Sequence, residues 1–542
     1  MKIIPEMPIT AYPILITIIW AILTLPFIGI VPLFDYDETI YAQTALDMMR
    51  QSEWTVPTAN GMQFFEKPPF TYYMMDACYA LFGVNAFSAR LPSAIFTLLT
   101  ALLLYRFGKS TKSPQFGLIT ALVFLSMLEV GLLAHAAILD AVLNFFIAAC
   151  FLFYFRWLQT DSLKHALWCA LLMGAAVSIK GPVGAVVPVL VIIADRLLAG
   201  DFTQTLKRIP WLAALSVFIV ASTPWYVMIF MKHGSDFLYE FIWVHNIGRA
   251  LNPMQGHGGG WHYYIIVFAV SILPWLAWLP RILSKHTSQQ HSGLFRLCWL
   301  WTAVVIVLFT FAQTKLPHYI SCVFPAVALL IAMALEQNHE ELRSLKKIRW
   351  STIGILLPVS LILIGFPWLY EWIPPLIHHP RALAIINQPL SPSLSISISG
   401  LILLACLLWL LKRHTYSAVQ FIVLGFVLQL CLLIPLGGFA GKLVQGPQSA
   451  IAEVIRTLPE HMPVYSYNLN YPSISFQSGR NYQIILNHEG SQTIYSSKPP
   501  YAVIMRSESL EELSWLKPYK AEINQGGFLL YMIRQPVSGA AP

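Results

Sequence analysis

The 542 residues are 57% hydrophobic and only 11% charged. Soluble domains carry about a quarter of their residues as Asp, Glu, Lys and Arg, so this composition excludes an ordinary soluble fold and makes lipid the main solvent. The net charge of +8 is spread over short loops, which argues against a nucleic-acid partner.

The chain opens with an apolar run from Tyr12 to Leu33. It outlasts the roughly 7–15 apolar residues of a signal peptide, and no small-x-small cleavage site follows. It reads as a retained first membrane helix. Directly behind it stands FDYDETIYA, residues 34–42, with Asp35, Asp37 and Glu38. Acids here favour the dipole of the next helix, or they form the working edge of an enzyme; the pattern alone allows both.

Residues 34–87 are too long for a tight connection. TIYAQTALDMMRQS places Ile40, Ala42, Leu46 and Met49 near one helical face, with Gln43, Asp47, Arg50 and Gln51 opposite. That is the pattern of an interfacial amphipathic helix. FTYYMMDACYALFG predicts a second external helix, apolar except for Asp76. Between them Asn60-Gly61 and Pro68-Pro69 signal turns, and Glu66-Lys67 is held just ahead of the stiff Pro-Pro pair.

A spanning helix needs about 20 apolar residues. Thirteen segments qualify, near 12–33, 88–107, 115–136, 139–158, 163–179, 183–200, 210–231, 262–283, 295–313, 319–336, 350–370, 395–412 and 417–437. Alternating sides puts the Lys/Arg-rich loops around 106–112, 196–208, 281–296, 343–349 and 412–413 on the side of the N-terminus. The positive-inside rule then predicts a cytoplasmic N-terminus and an external C-terminus. Seven cysteines without a CxxC pair predict buried thiols rather than a disulfide framework or zinc-cysteine site.

This topology brings Asp35, Asp37, Glu38, Glu66, Lys67, Asp140, Lys180, His245, His257, His262, Lys315, His318 and Tyr319 to one external boundary. Ionisable groups at such depths in a charge-poor chain are functional candidates. From about Leu443 the character changes. Residues 448–459 and SLEELSWL suggest helices, and PVYSYN, YAVIMR and GFLLYMIR suggest strands. The expected organisation is a transmembrane domain over 1–442 and a small external α/β domain over 443–542.

A lipid-linked phosphosugar suits this constellation, with its tail in the bilayer and its phosphate at the boundary. Sugar transfer needs cations on the phosphate leaving group, and a carboxylate where the acceptor is a hydroxyl. Lys67 and Lys315 are candidate cations, Tyr319 a further donor and Asp37 the base. The alternatives are a surface ion pair for Glu66-Lys67, backbone satisfaction by Asp140, and polar-loop roles for the histidines. A transporter is the competing class, yet neither internal repeats nor midplane helix breaks are visible in the sequence.

The stretch YDETIYAQTALDMMRQSEWTVPTANGMQFFEKPPFTYY resembles the bacterial lipid A 4-amino-4-deoxy-L-arabinose transferases, within the protein O-mannosyltransferase-like, GT-C-type membrane glycosyltransferases. The likeness continues through ILDAVLNFF, SIKGPVG, FIWVHNIGRAL and TKLPHYISCVFPAVALL. It implies thirteen spans, a membrane-facing cavity, and inverting transfer from a polyprenyl (undecaprenyl) monophosphate sugar to lipid A, another envelope glycan or protein. It further implies a monomer in the bacterial inner membrane, without a nucleotide cofactor. On this likeness Asp37 matches the principal acid of the catalytic region, with Glu38 beside it, and Asp140 a second cavity acid. Lys67 and Tyr319 match donor-phosphate ligands. Glu66 and His245 match positions associated with a divalent metal, zinc being the expected ion. Ile40 replaces the arginine of the usual DETRYA, and Phe64 stands where a tyrosine usually precedes FEK.

Overall fold

The computed structural model describes residues 8–252, 258–284, 292–336, 342–412, 418–486 and 488–535. In a bilayer every backbone polar group must be satisfied within the protein, and the apolar segments accordingly fold as helices. Among the described residues eight helices are long and apolar enough to cross a membrane, and up to eleven if each of three bent pairs is one span. The thirteen expected segments meet these bends: residues 115–136 break by 72° between Leu125 and Leu128, and 262–283 by 101° between Ser271 and Trp275. Ala11–Thr24, at 14 residues, and Val183–Ala199, at 17, fall short of the length criterion on their own.

The bundle is inside-out relative to a soluble core. Helix Pro317–Leu335 is its most buried span, with 89% of its apolar window enclosed. Large apolar side chains such as Leu212, 85% exposed, and Met231, 80% exposed, face outward. Helix Ala86–Thr111 packs against Pro114–Leu125 and Asp140–Thr160. Where the first pair touch, a Cβ on Gly108 would lie 2.6 Å from the Cα of Gly117. Small residues allow such backbone approach between membrane helices.

The segment 34–87 forms the helices Asp37–Gln51 and Phe70–Phe82. Between them Thr58–Ala59 pairs antiparallel with Met62–Gln63 across Asn60-Gly61, both at positive φ as a two-residue hairpin turn demands. Of the expected polar face of helix Asp37–Gln51, Arg50 and Gln51 are exposed. Gln43 and Asp47 are buried, because the C-terminal region covers them; Gln43 donates to Asn481 at 3.3 Å, and Asn60 to Asn470 at 3.3 Å.

The last apolar helix, Ala418–Cys431, continues through a π-helical turn at Leu432–Leu436 into Gly437–Thr457. One helical rod thus carries the chain from the bundle into the C-terminal sheet. Five strands follow: β1 Val464–Tyr467, β2 Gln483–Ile485, β3 Tyr501–Arg506, β4 Ile523–Gln525 and β5 Phe528–Ile533. Their order is β2-β1-β3-β5-β4, parallel on the β2 side and antiparallel on the β5 side. Apolar side chains cover both faces of the sheet. The expected strands in PVYSYN, YAVIMR and GFLLYMIR are present, whereas SLEELSWL forms only 3-10 turns.

Candidate active site

Four helix ends and one loop converge on the same boundary. Asp37 begins helix Asp37–Gln51, Asp140 begins Asp140–Thr160, and Lys180 ends Leu163–Lys180. Acids at helix starts and a lysine at a helix end each match the local dipole. Glu66 and Lys67 come from the loop ahead of Pro68-Pro69, Arg249 from the end of the helical stretch after Pro224, and His318 and Tyr319 from the turn Pro317–Val323.

Two partly buried ion pairs fix this cluster. Lys180 Nζ lies 2.6 Å from Asp140 Oδ1, with His318 Nε2 3.9 Å from Oδ2. Arg249 Nη2 lies 2.5 Å from Glu66 Oε2. Lys180 also sits over the ring of Tyr319, 5.0 Å from its centroid. Lys67 is 7% exposed and donates only to the Glu66 carbonyl, at 3.1 Å, among the described residues. Burial, reinforced by the positive charge of Arg249, pushes its ammonium down to about 7. Lys67 is therefore a desolvated cation site without a carboxylate partner among the described residues, while Lys180 and Arg249 each have one.

Asp37 is the matching feature of opposite sign. It is half-buried and makes no hydrogen bond or ion pair among the described residues. Its charge acts on His318 and Tyr41.

Glu38 has a different setting. Its carboxylate accepts from Arg90 Nε at 2.7 Å, Arg90 Nη2 at 2.8 Å, and the backbone N–H groups of Phe34 and Ala137 at 2.9 and 2.7 Å. Arg90 in turn donates to the carbonyls of Ile28, Val31 and Pro32. This pair ties the end of the first membrane helix to the start of Asp37–Gln51. Removing one member of a buried pair costs about 3–5 kcal/mol, because the other is stranded. Glu38→Ala is expected to lower stability by that amount in detergent thermal unfolding, while Glu38→Gln, which keeps part of the network, loses less.

Lys315 has partners of its own. Its ammonium donates to the carbonyls of Thr310 and Ala312, both at 2.6 Å, and lies over the Tyr264 ring. It thus closes the C-terminal end of helix Ser292–Phe311. His262 begins the turn into helix Tyr263–Ser271, and His257 lies outside the described residues.

His245 Nδ1 is 3.8 Å from Glu66 Oε1 and is buried without a hydrogen bond. Burial lowers its basicity. A zinc ion takes three or four protein donors. The described residues supply these two, with no group of three His, Cys, Asp or Glu, and Arg249 already occupies the other Glu66 oxygen. This donor set does not make a zinc site by itself, and no chemical step is assigned to a metal.

Three site residues carried no assigned role in the sequence reading: Lys180, Arg249 and His318. Their signal was the motif stretches SIKGPVG, FIWVHNIGRAL and TKLPHYIS, which hold one each. Ile40 and Phe64, the two departures from the expected motif, belong to one buried apolar cluster with Leu33 and Leu46. Both side chains are apolar, and the cations described around the site include Lys67, Lys180 and Arg249.

The chain is a bent, multi-span helical bundle with charged side chains gathered at helix ends and a small C-terminal sheet domain. Residues 66–227 match the family described as dolichyl-phosphate-mannose-protein mannosyltransferase. The structure aligns with ArnT from Cupriavidus metallidurans bound to undecaprenyl phosphate, TM-score 0.83, covering 98% of this chain and 99% of that one at 19% identity. The chain is a homologue of the undecaprenyl phosphate-alpha-4-amino-4-deoxy-L-arabinose arabinosyl transferases. It is 28% identical to that of Erwinia tasmaniensis over 83% of this chain and 81% of the relative. With the Serratia proteamaculans enzyme it shares 29% identity over 64% of this chain and 65% of the relative's length.

Proposed function

We propose that this protein is an integral-membrane glycosyltransferase that moves a sugar from an undecaprenyl monophosphate donor to an acceptor of the bacterial envelope, with inversion at the anomeric carbon. The observation that carries this reading is Lys67, a buried ammonium with no carboxylate partner among the described residues. In transfer, the bond from the anomeric carbon to the phosphate oxygen breaks and the leaving phosphate gains charge. Lys67 receives that charge, with Arg249 and Lys180 close by. Fixed cations in a water-poor cavity stabilise a developing anion far better than the same groups in water. Asp37, across the cluster, orients the acceptor or takes its proton.

The transferred sugar is 4-amino-4-deoxy-L-arabinose, as the relatives' names suggest, and the acceptor lipid A, as the motif resemblance suggests. A protein O-glycosyltransferase is the second reading, favoured by the family match over residues 66–227. Mass spectrometry of envelope lipid A and glycoproteins, with and without this protein, decides between them. Appearance of a pentose on lipid A supports the first reading, a glycosylated protein the second, and no change in either sinks both.

Donor binding should also depend on pH. The free Lys67 titrates at about 7, and an adjacent phosphate raises that value by favouring the charged form. Binding therefore takes up a proton at neutral and alkaline pH. Affinity for undecaprenyl phosphate is expected to fall as pH rises above 7, approaching about tenfold per unit, when measured by titration in detergent. Lys67→Arg, always protonated, should flatten the profile.

A further inference from the structure

The end of the bundle opposite the active site holds a second arrangement of cavity and charge. Tyr154, Arg156 and Trp157 lie on the helix that begins at Asp140, about 20 Å along its axis at 1.5 Å per residue. An apolar cavity of about 410 Å³ opens there, walled by Trp157, Met173, Ile192, Phe202 and Trp211 among others. Leu215 of its wall is 54% exposed, so the cavity communicates with the lipid-facing surface. A second cavity of about 440 Å³ is lined by Thr111, Lys112, Gln159 and Arg296. Arg196 lines both.

The charges around Arg196 are unequal among the described residues. Asp195 is shared between Arg196, at 2.5 Å, and Arg296, at 2.8 Å, and Asp201 takes a second contact from Arg196 at 3.0 Å. Arg156 finds only uncharged partners, the hydroxyls of Ser110 and Thr111 and the Gln159 carbonyl oxygen. Three guanidinium groups thus face two carboxylates, while Lys112 is 2.5 Å from Glu336. The surplus is one positive charge on Arg156, whose partners Thr111 and Gln159 line the second cavity, and Arg196 joins that cavity to the apolar one. A phosphodiester headgroup on an acyl chain has the complementary form, one negative charge on an apolar tail. Basic pockets between membrane helices recognise anionic headgroups in this way.

We propose that this end of the bundle is a binding site for an anionic phospholipid, its phosphate held at Arg196 and Arg296 beside Arg156 and one acyl chain seated in the apolar cavity. The site is separate from the donor site, because it lies at the other end of the helices that carry Asp140 and Lys180. Lysine and arginine counts place it on the cytoplasmic face, where anionic lipids are abundant.

Native mass spectrometry of the full-length protein, released from nanodiscs containing equal amounts of phosphatidylglycerol and phosphatidylcholine, tests it. The wild type should retain phosphatidylglycerol over phosphatidylcholine by about fivefold or more, the factor one cation contributes at a membrane surface. Arg296→Gln removes a headgroup contact, and Ala214→Phe fills the apolar cavity without altering any charge. Each should abolish the preference while the protein remains monodisperse. Because Arg296→Gln perturbs the Asp195 pair, Ala214→Phe decides if the first variant misfolds. Equal retention of the two lipids by the wild type, or an unchanged preference in Ala214→Phe, overturns the proposal.

Discussion

Lys67→Ala is expected to reduce sugar transfer by about 10²–10³-fold, the cost of removing one preorganised donor from a developing anion. The basis is the accounting of charge around it. Lys180 is bound to Asp140 and Arg249 to Glu66, so their fields on an incoming phosphate are partly cancelled. Lys67 has only a backbone carbonyl, at 3.1 Å. Its unpaired burial costs the empty protein free energy, which is why its ammonium titrates at about 7; a phosphate restores the missing partner. The alanine variant should consequently keep or raise thermal stability while losing turnover. Lys180→Ala provides the contrast, since it strands Asp140 and should lose stability as well. The measurements are initial rates with an undecaprenyl phosphate sugar and unfolding temperatures in the same detergent. Turnover within threefold of wild type in Lys67→Ala sinks the assignment.

The parts of this site that were legible in the sequence are those that depend on local pattern. Lys67 is marked by its place before Pro68-Pro69, Asp37 by standing at the junction of an apolar run and an amphipathic helix, and Asp140 by starting a span. The parts that were not legible depend on partners far away in the chain. Nothing near Glu38 announces that Arg90 will claim its carboxylate, 52 residues on. Periodicity puts Gln43 and Asp47 on a polar face, but cannot show that the C-terminal region will cover it. The same blindness hides Asp35, which accepts from the backbone N–H and hydroxyl of Ser473, 438 residues away, and from Thr39 at 2.5 Å. Burial raises its carboxyl to about 6. Asp35 therefore fastens the sheet domain to the chain two residues before Asp37, a link visible only in three dimensions. Lys315 has partners that its motif did not announce. Its KLP motif and boundary position suggested a phosphate ligand, yet the end of Ser292–Phe311 leaves carbonyls that its ammonium satisfies, as terminal carbonyls require.

Asp37→Asn separates the two chemical roles open to this acid. The substitution keeps the shape of the side chain, and the wild-type carboxylate has no hydrogen bond or ion pair among the described residues to lose. Its stability cost is then confined to the helix dipole, about 0.3–1 kcal/mol. Activity should respond far more strongly. With a hydroxyl acceptor the oxygen must shed its proton as it attacks the anomeric carbon, and loss of the base lowers turnover by about 10²–10⁴-fold. A lipid A phosphate is already anionic and needs no deprotonation, so Asp37 then acts by position and charge, and the loss is smaller than with a hydroxyl. The informative measurement is the ratio of wild-type to Asp37→Asn rates on paired acceptors, one ending in a phosphate and one in a hydroxyl, with the same donor. A much larger loss on the hydroxyl acceptor identifies Asp37 as the base, and similar large losses on both identify it as an orienting group. Wild-type rates on both remove it from the active site. The buried setting of Ile40 and Phe64 gives this comparison its weight. With polar groups missing at those two positions, the variant reads the contribution of Asp37 against Lys67, Lys180 and Arg249 alone.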